Sequence, residues 1–501
     1  MVSAGTLPVA WSARWQSTPQ APLWLELGDH SELGDHSEGE RVGRGYGGWW
    51  TAGAFDAATR RMAGRLRGAG LEPGDRVLWS ARSSVPALVA HVAALRAGLV
   101  VVPANTTYTV RELAHMVTDV RPAAAIVDPD RRNAVRQASD PSVLVVGPGA
   151  ELPDADPGPL DTAEPTAPAL ILYTSGTTGA PKGAVLSHRN LLAATESVRI
   201  AWRWTADDRL VHALPLFHAH GLCVGVYGTL LAGASAVLLP GFDPAAVADA
   251  ASEFEASLFF GVPTMYHRLV RSGRAGDLRR LRLCVSGSAP MSVELHGAMG
   301  DALGSTVLER YGMTETLMNL SNPCEGARRP GTVGFPLPGV EARLTDGELS
   351  VRGPNVFDGY WERPAANAEV FTEAGGGGRW FRTGDLGADD DGYVVIRGRR
   401  TELIISGGYN VYPTEVEDVL ITHPGVAEVA VTGSPSEEWG EVVTAWIVAD
   451  GVPPSVDDLT AFTEATLAPY KRPRRVHVVD ELPRNALGKV LRDHLGRWPG
   501  G

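Results

Sequence analysis

Short, uninterrupted apolar runs recur along the N-terminal half of the chain, each closed by Gly, Pro or Asp: RVLWS (76–80), LVVVPAN (99–105), AAAIVD (123–128), SVLVVG (142–147) and ALILYTSG (169–176). A strand without polar alternation has no face to offer water, so such strands belong in sheets covered on both sides by helices. The intervening text supplies those helices. FDAATRRMAGRLRGAGLEPGD (55–75) spaces Phe55, Ala58, Met62 and Leu66 at helical intervals before a Gly and Pro stop, and VPALVAHVAALRAG (85–98) is apolar on most of its surface. The larger part of the chain therefore reads as layered α/β.

The texture changes near residue 401. EAGGGGRWFRTGDLGADDDGYVVIRGRRTE (373–402) is rich in Gly and charge and reads as hairpins and connectors outside the core. Beyond it, Pro413 with a Thr414 to Glu417 capping box opens a helix carrying Val416, Val419 and Leu420 on one face. Strand-like VVTAWIV (442–448), a helix around VDDLTAFTEATLA (456–468) and strand-like RVHVVD (475–480) follow. The expected division is a large N-terminal domain, 1–401, and a small α+β domain, 402–501. That accords with the rarity of single cores beyond about 250–300 residues.

A net charge of -13 argues against a general nucleic-acid surface, so an anionic ligand must be held by local features. Cys223, Cys284 and Cys324 are too few and too scattered for a disulfide framework or a thiolate metal cage. The first residues lack a basic segment followed by an apolar core, and no membrane-length apolar run occurs, so a cytoplasmic location is expected. ELGDHS (26–31) repeats at once as 32–37; its polar, Gly-containing composition suits a surface loop better than a metal site built on His30 and His36.

The strongest local signal is YTSGTTGAPKGAVLSHRNL (173–191). A Gly, Ser and Thr run with one Lys, between a strand and a helix, presents backbone N–H groups, hydroxyls and a cation to a polyphosphate. It is not the G-x-x-x-x-G-K-[ST] loop, because Pro181 stands where that pattern needs Gly. Alone, the segment also fits a surface hairpin.

With YTSGTTGAPKG, LPLFHAHG, VSGSAP, YGMTE, FRTGDLG, GRRTELIISGGYNVYPTEVE and LPRNALGK in this order, the chain resembles the adenylate-forming acyl-CoA synthetases, relatives of luciferases and adenylation domains. The resemblance implies a large domain of α/β subdomains with a distorted β-barrel portion, and a small mobile domain. It also implies attack of a carboxylate on the α-phosphate of ATP, departure of pyrophosphate, and displacement of AMP by the thiol of CoA. Under it, Thr174, Ser175, Gly176, Thr177, Thr178 and Lys182 handle the β- and γ-phosphates. Glu315 is associated with Mg²⁺ and Thr314 contacts the α-phosphate; Glu309, Arg310, Tyr311 and Gly312 border the nucleotide, with Tyr311 stacking on adenine. Ser286, Gly287, Ser288 and Ala289 line the other face of the base, Asp385 accepts the ribose hydroxyls, and Arg399 reaches ribose or phosphate. Lys489 bridges the reacting carboxylate and phosphate. Glu402 takes the pivot position, usually Asp or Lys, and Ser406, Gly407, Gly408 and Tyr409 line the pantetheine tunnel after rotation.

Arg310 stands where many relatives carry a small residue beside the acyl pocket. A guanidinium there is unfavourable beside a fatty tail and favourable beside a second carboxylate. With Arg268 in GVPTMYHR, the match is similar to the malonyl-CoA synthetase branch, in which His218 flanks the short acyl chain and Met318 bounds the α-carbon substituent. His220 reads as a packed histidine. The expected activity is ATP- and Mg²⁺-dependent ligation of malonate, or of methylmalonate and other 2-substituted malonates, to CoA. The alternatives are a CoA ligase for a short or aromatic monocarboxylic acid, an adenylation enzyme loading a carrier protein, and a non-catalytic sensor. A different reading of Arg310 pairs it with Glu309 for structural reasons.

Overall fold

The computed structural model describes residues 5–28, 48–149, 152–174, 181–373, 378–464, 466–485 and 488–496. The apolar runs become strands. Arg76–Ser80, Val100–Pro103, Ala124–Val127, Leu144–Val146 and Pro168–Tyr173 run parallel in a seven-stranded sheet, extended antiparallel by Gly183–Ser187 and Gly359–Tyr360. Helix Ala52–Gly68, capped by the Thr51 hydroxyl, buries Phe55, Met62 and Leu66, while helix Val85–Arg96 buries every residue except Pro86. Its last residue is charged. The fully buried Arg96 side chain is held by Asp56 at 2.6 Å and Asp161 at 3.0 Å. Pairing of this kind is what permits a guanidinium inside a core.

A nine-stranded sheet sets Arg209–His212, Ser235–Leu238, Leu258–Gly261, Leu283–Ser286 and Leu308–Tyr311 parallel at its centre. An antiparallel five-stranded sheet, 341–399, stands where the barrel portion is expected. After Arg399 the chain leaves that sheet. From Ile404 it enters a separate five-stranded sheet whose own core contains Val416, Leu420, Val431, Val443, Ile447 and Leu459. Layered α/β followed by a smaller α+β unit is thus the observed architecture. Among the described residues, no helix is long and apolar enough to cross a membrane.

Three expectations need correction. Segment 373–402 contains the expected hairpin, Arg379–Asp390 with Tyr393–Arg399, but the hairpin is not outside the core, because it buries Trp380, Phe381 and Leu386. Thr414 and Glu417 do not cap helix Pro413–Leu420. Thr414 Oγ1 donates to the Arg397 carbonyl at 2.6 Å, and Glu417 accepts from Val431 N and Arg492, so long-range partners outcompete the local box. The next helix stops at Thr463, opened by a Ser455 and Asp458 capping box. Of the ELGDHS repeat, only Glu26 to Gly28 lie among the described residues, and Glu26 accepts the Val85 amide at 2.7 Å. His30 and His36 lie outside them.

Burial shapes the acid stability. His91 is wholly buried, 2.6 Å from the Tyr227 hydroxyl, and burial pulls it down to about 3. Unfolded histidine titrates near ~6.5. Between those values the unfolded chain binds the extra proton, so the contribution is complete above the unfolded value and erodes as pH falls. His91→Gln should therefore flatten the pH dependence of unfolding free energy from pH ~6 to ~4 by up to about 1.4 kcal/mol per pH unit, measured from urea midpoints. An unchanged slope contradicts a neutral buried His91.

Candidate functional site

Strand Leu308–Tyr311 lies between Leu283–Ser286, to which it is parallel, and Leu320–Ser321, to which it is antiparallel. Side chains alternate across a strand, so Glu309 and Arg310 leave on opposite faces. Glu309 accepts the Met291 amide at 3.1 Å, and its other oxygen lies 3.0 Å from His296 Nε2. Its carbonyl takes the Asn322 amide. Glu309 therefore belongs to the scaffold. It makes no hydrogen bond to Arg310, although its charge helps to hold that guanidinium protonated, and both of its oxygens are already engaged.

Arg310 is 5% exposed. Its guanidinium lies so close to Gly287 that a Cβ there would stand 2.4 Å from Cζ. Only glycine leaves room for that approach. Ser288 turns the chain with φ +71°, in the left-handed region, and its hydroxyl lies 3.4 Å from His220 Nδ1 and 3.5 Å from Arg310 Nη2. Arg310 Nε and His220 Nε2 have no hydrogen-bond partner among the described residues. Burial pulls Arg310 down to about 10, still far above neutrality, so the guanidinium stays charged. Burial, assisted by that charge, holds His218 down to about 4 and His220 well below the ordinary value. The result is one under-bonded cation among neutral imidazoles.

Tyr311 continues from the opposite face. Its hydroxyl donates to Asp385, whose other oxygen lies 3.2 Å from Arg399 Nε, because Asp385 and Arg399 are direct cross-strand partners. Burial pushes Asp385 up, and Arg399, Tyr311 and Lys489 oppose it. A carboxylate has about four acceptor positions, so two donors leave capacity for hydroxyls. Lys489 sits on a hairpin closed by mutual bonds with Asn485 at 2.9 Å. Burial and Arg399 pull Lys489 down, while Glu402 and Asp385 oppose them, so this lysine faces the same charge cluster. Gly488, at φ +77°, would carry a Cβ 2.9 Å from Thr264 Oγ1, which seats the hairpin against the large domain.

Between these two ends the YGMTE turn folds tightly on itself. A Cβ on Gly312 would lie 1.9 Å from the Leu317 carbonyl, and Leu317 itself has φ +56°. Asn355 Nδ2 ties the turn by donating to the Thr316 and Met318 carbonyls at 2.8 and 3.1 Å. Thr314 is half-buried and Glu315 buried. Glu315 Oε1 accepts the Tyr360 hydroxyl at 2.8 Å, and burial pushes its carboxyl above the usual range despite that bond. Lys182 Nζ lies 5.3 Å from the centre of the same Tyr360 ring. Motif reading passed over Tyr360, although an aromatic pair beside Gly in GYW (359–361) is a signal that a packed ring is near.

The remaining candidates separate. The Thr174 amide bonds to the Lys182 carbonyl at 3.0 Å, while Ser175, Gly176, Thr177 and Thr178 lie outside the described residues. Ser286 is fully buried on its strand and Ala289 half-buried after it. Met318, with Ala194, Thr195, Val198, Cys223, Val224 and Leu317, lines an apolar pocket too tight for water. Arg268 does not join Arg310. Its helix, Pro263–Arg271, buries Met265, Tyr266 and Leu269, which turns Arg268 outward over the Phe242 ring at 4.9 Å. Ser406 is buried in the small domain, Gly407 packs on Trp439, and the exposed Tyr409 stacks on Tyr470 at 4.7 Å. Gly408 adopts φ +82°. Glu402 meets Arg492 at 3.1 Å.

Comparison with known proteins places these features. The model for "AMP-binding enzyme" matches residues 35–361, and that for "AMP-binding enzyme C-terminal domain" matches 415–489. A feruloyl-CoA synthase from an Amycolatopsis species is 38% identical over 455 residues, covering 87% of this chain and 91% of the relative. A mitochondrial malonate–CoA ligase from Mus musculus is 36% identical, covering 84% and 81%. ATP-bound MatB from Rhodopseudomonas palustris superposes with a TM-score of 0.88 at 38% identity, covering 98% of both chains. A malonyl-CoA ligase product complex with methylmalonyl-CoA and AMP bound gives only 0.64 at 41% identity, covering 93% and 97%. Higher identity with a lower score at similar coverage points to a different arrangement of parts rather than a different fold. With its family model spanning most of the large domain and these relatives spanning most of its length, the chain belongs to the AMP-binding enzymes.

Proposed function

We propose that this chain ligates malonate to CoA with ATP, through a malonyl-adenylate, releasing AMP and pyrophosphate. The observation that carries this reading is Arg310: buried, charged, hydrogen-bonded weakly to Ser288, and, among the described residues, without an ion pair, although the Glu309 charge acts on it from the other face of the strand. A carboxylate at the far end of a short acid supplies the missing acceptor, bidentately. The neutral His218 and His220 add no competing charge and flank the short chain. Arg310 alone suffices for this reading, because Arg268 lies over Phe242. The wall at Met318 decides which 2-substituents fit.

In the first step an oxygen of the near carboxylate attacks the α-phosphorus, the new P–O bond forms, and pyrophosphate leaves. Lys489 offers positive charge at the oxygens where it is needed, Thr314 orients the α-phosphate, and Asp385 takes ribose hydroxyls with Arg399 beside it. Thr174 and Lys182 begin and end the segment that receives the departing phosphates. The residues present fit Mg²⁺: the buried Glu315 carboxylate would offer a hard oxygen, and substrate phosphates would supply others, as is usual for this ion. Bound there, Mg²⁺ would neutralise phosphate charge. In the second step the CoA sulfur attacks the acyl carbon and AMP departs. The partners shown for Ser406, Gly407 and Tyr409 lie in the small domain, so these residues would reach the acyl site by rotation about Glu402, a reading that the differing superpositions support.

Ferulate is the competing acid. A neutral aryl tail would leave Arg310 unpaired. Arg310→Ala should lower kcat/KM for malonate by at least about a hundredfold, the scale of removing one partner of a buried charge pair, with acetate changed much less. Arg268→Ala should act weakly. Pyrophosphate release across malonate, methylmalonate, acetate and ferulate checks this, and equal losses for malonate and acetate would refute the dicarboxylate site. Lys489→Ala should slow malonate-dependent pyrophosphate release by about 10²–10³. Thioester formation from supplied malonyl-adenylate should persist.

A further inference from the structure

We infer that Arg492 is a positioning residue for the adenylation half-reaction: by holding the Glu402 carboxylate, it keeps the Lys489 ammonium uncommitted and directed at the substrate. Arg492 lies three positions beyond Lys489, at the exit of the hairpin that carries it. That hairpin is built from its base upward, with Leu491 N donating to the Pro483 carbonyl at 2.8 Å, an Arg484 to Val490 bridge, and the mutual Asn485 and Lys489 bonds. Arg492 is anchored from behind. Its Nη2 lies 2.8 Å from both Glu417 oxygens, and Glu417 is itself fixed by the Val431 amide at 2.7 Å. Its Nη1 reaches forward to Glu402 Oε2 at 3.1 Å.

All three side chains are largely withdrawn from water, with 17% exposure for Arg492, 14% for Glu402 and 15% for Glu417. Charges so placed need partners, and one guanidinium fork satisfies both carboxylates in a way a point charge cannot. Glu402 and Asp385 are the two negative groups that act on Lys489. If Arg492 is removed, the cations left to answer the Glu402 charge are Arg399, already committed to Asp385 at 3.2 Å, and Lys489. Capture of the ammonium by Glu402 would draw it away from the Asp385 and Arg399 end of the site. Motif reading assigned Arg492 no role and gave Glu402 only that of a pivot.

The inference rests on the acyl-adenylate reading, and its test separates the two. Wild type is first assayed for acid-dependent ATP–pyrophosphate exchange with malonate, ferulate and acetate, and the fastest acid is used thereafter. A preference for ferulate or acetate would overturn the malonate reading while leaving Arg492 testable. Arg492→Gln should lower exchange at least about tenfold through kcat, with KM for ATP nearly unchanged, the pattern of a lost transition-state interaction. Thioester formation from the supplied acyl-adenylate should stay within about threefold, since it does not use Lys489 at phosphate. The double variant Glu402→Gln with Arg492→Gln should recover exchange several-fold over Arg492→Gln alone, because the competing carboxylate is gone. A merely structural Arg492 predicts no such recovery. Unchanged exchange in Arg492→Gln, equal loss of both half-reactions, or a double variant no better than the single overturns the inference. Should Arg492→Gln fail to fold, Arg492→Lys with and without Glu402→Gln gives the same comparison.

Discussion

Period-two alternation along Leu308–Tyr311 is the constraint on which the site depends. It sends two oppositely charged neighbours to opposite faces of one strand, where each acts on the other by charge but they form no hydrogen-bonded pair. Glu309 finds His296 and the Met291 amide and becomes a strut between strand and helix. Arg310 comes to rest against the Gly287 and Ser288 turn, with Ser288 its one side-chain hydrogen-bond partner among the described residues. Tyr311, back on the first face, reaches Asp385 and thereby the strand that carries Arg399. The residues proposed for acid recognition and for nucleotide recognition are thus separated by a single pleat.

Much of this was legible beforehand, and the failures have physical causes. Covered strands and apolar helices declared the α/β layers because burial on two faces leaves no polar alternation. The motif order declared the family, and the charge at Arg310 suggested the acid. Sequence could not show whether Arg310 was paired with Glu309, because His296 lies thirteen positions from Glu309 and meets it only once helix and strand pack. Arg268 was misread for a different reason. Phasing its helix on Met265, Tyr266 and Leu269 would have turned it outward. Thr414 and Glu417 have the spacing of a cap but were claimed by Arg397, Val431 and Arg492, partners no local pattern reveals. Tyr360 reaches Glu315 across 45 positions.

The small domain adds a second layer of control. Its hairpin rests on Thr264 and brings Lys489 to the Asp385 and Arg399 cluster, the arrangement suited to phosphoryl chemistry. The better superposition on an ATP-bound relative than on a product complex agrees with that arrangement. Lys489 is useful only while its charge is not satisfied by the protein's own carboxylates. An enzyme that moves a cation into a dense group of acids must also keep those acids occupied.

Arg310 has a further consequence, which concerns the solution around the protein. A desolvated guanidinium resting on a glycine, with neutral rings beside it, discriminates by charge and size before it discriminates by carbon skeleton. If Arg310 holds the acid as proposed, chloride, sulfate and phosphate in a buffer would compete for the same guanidinium, raise the apparent KM of the acid and compress the measured differences between acids. On that reading, the specificity of the enzyme is in part a property of the electrolyte in which it works.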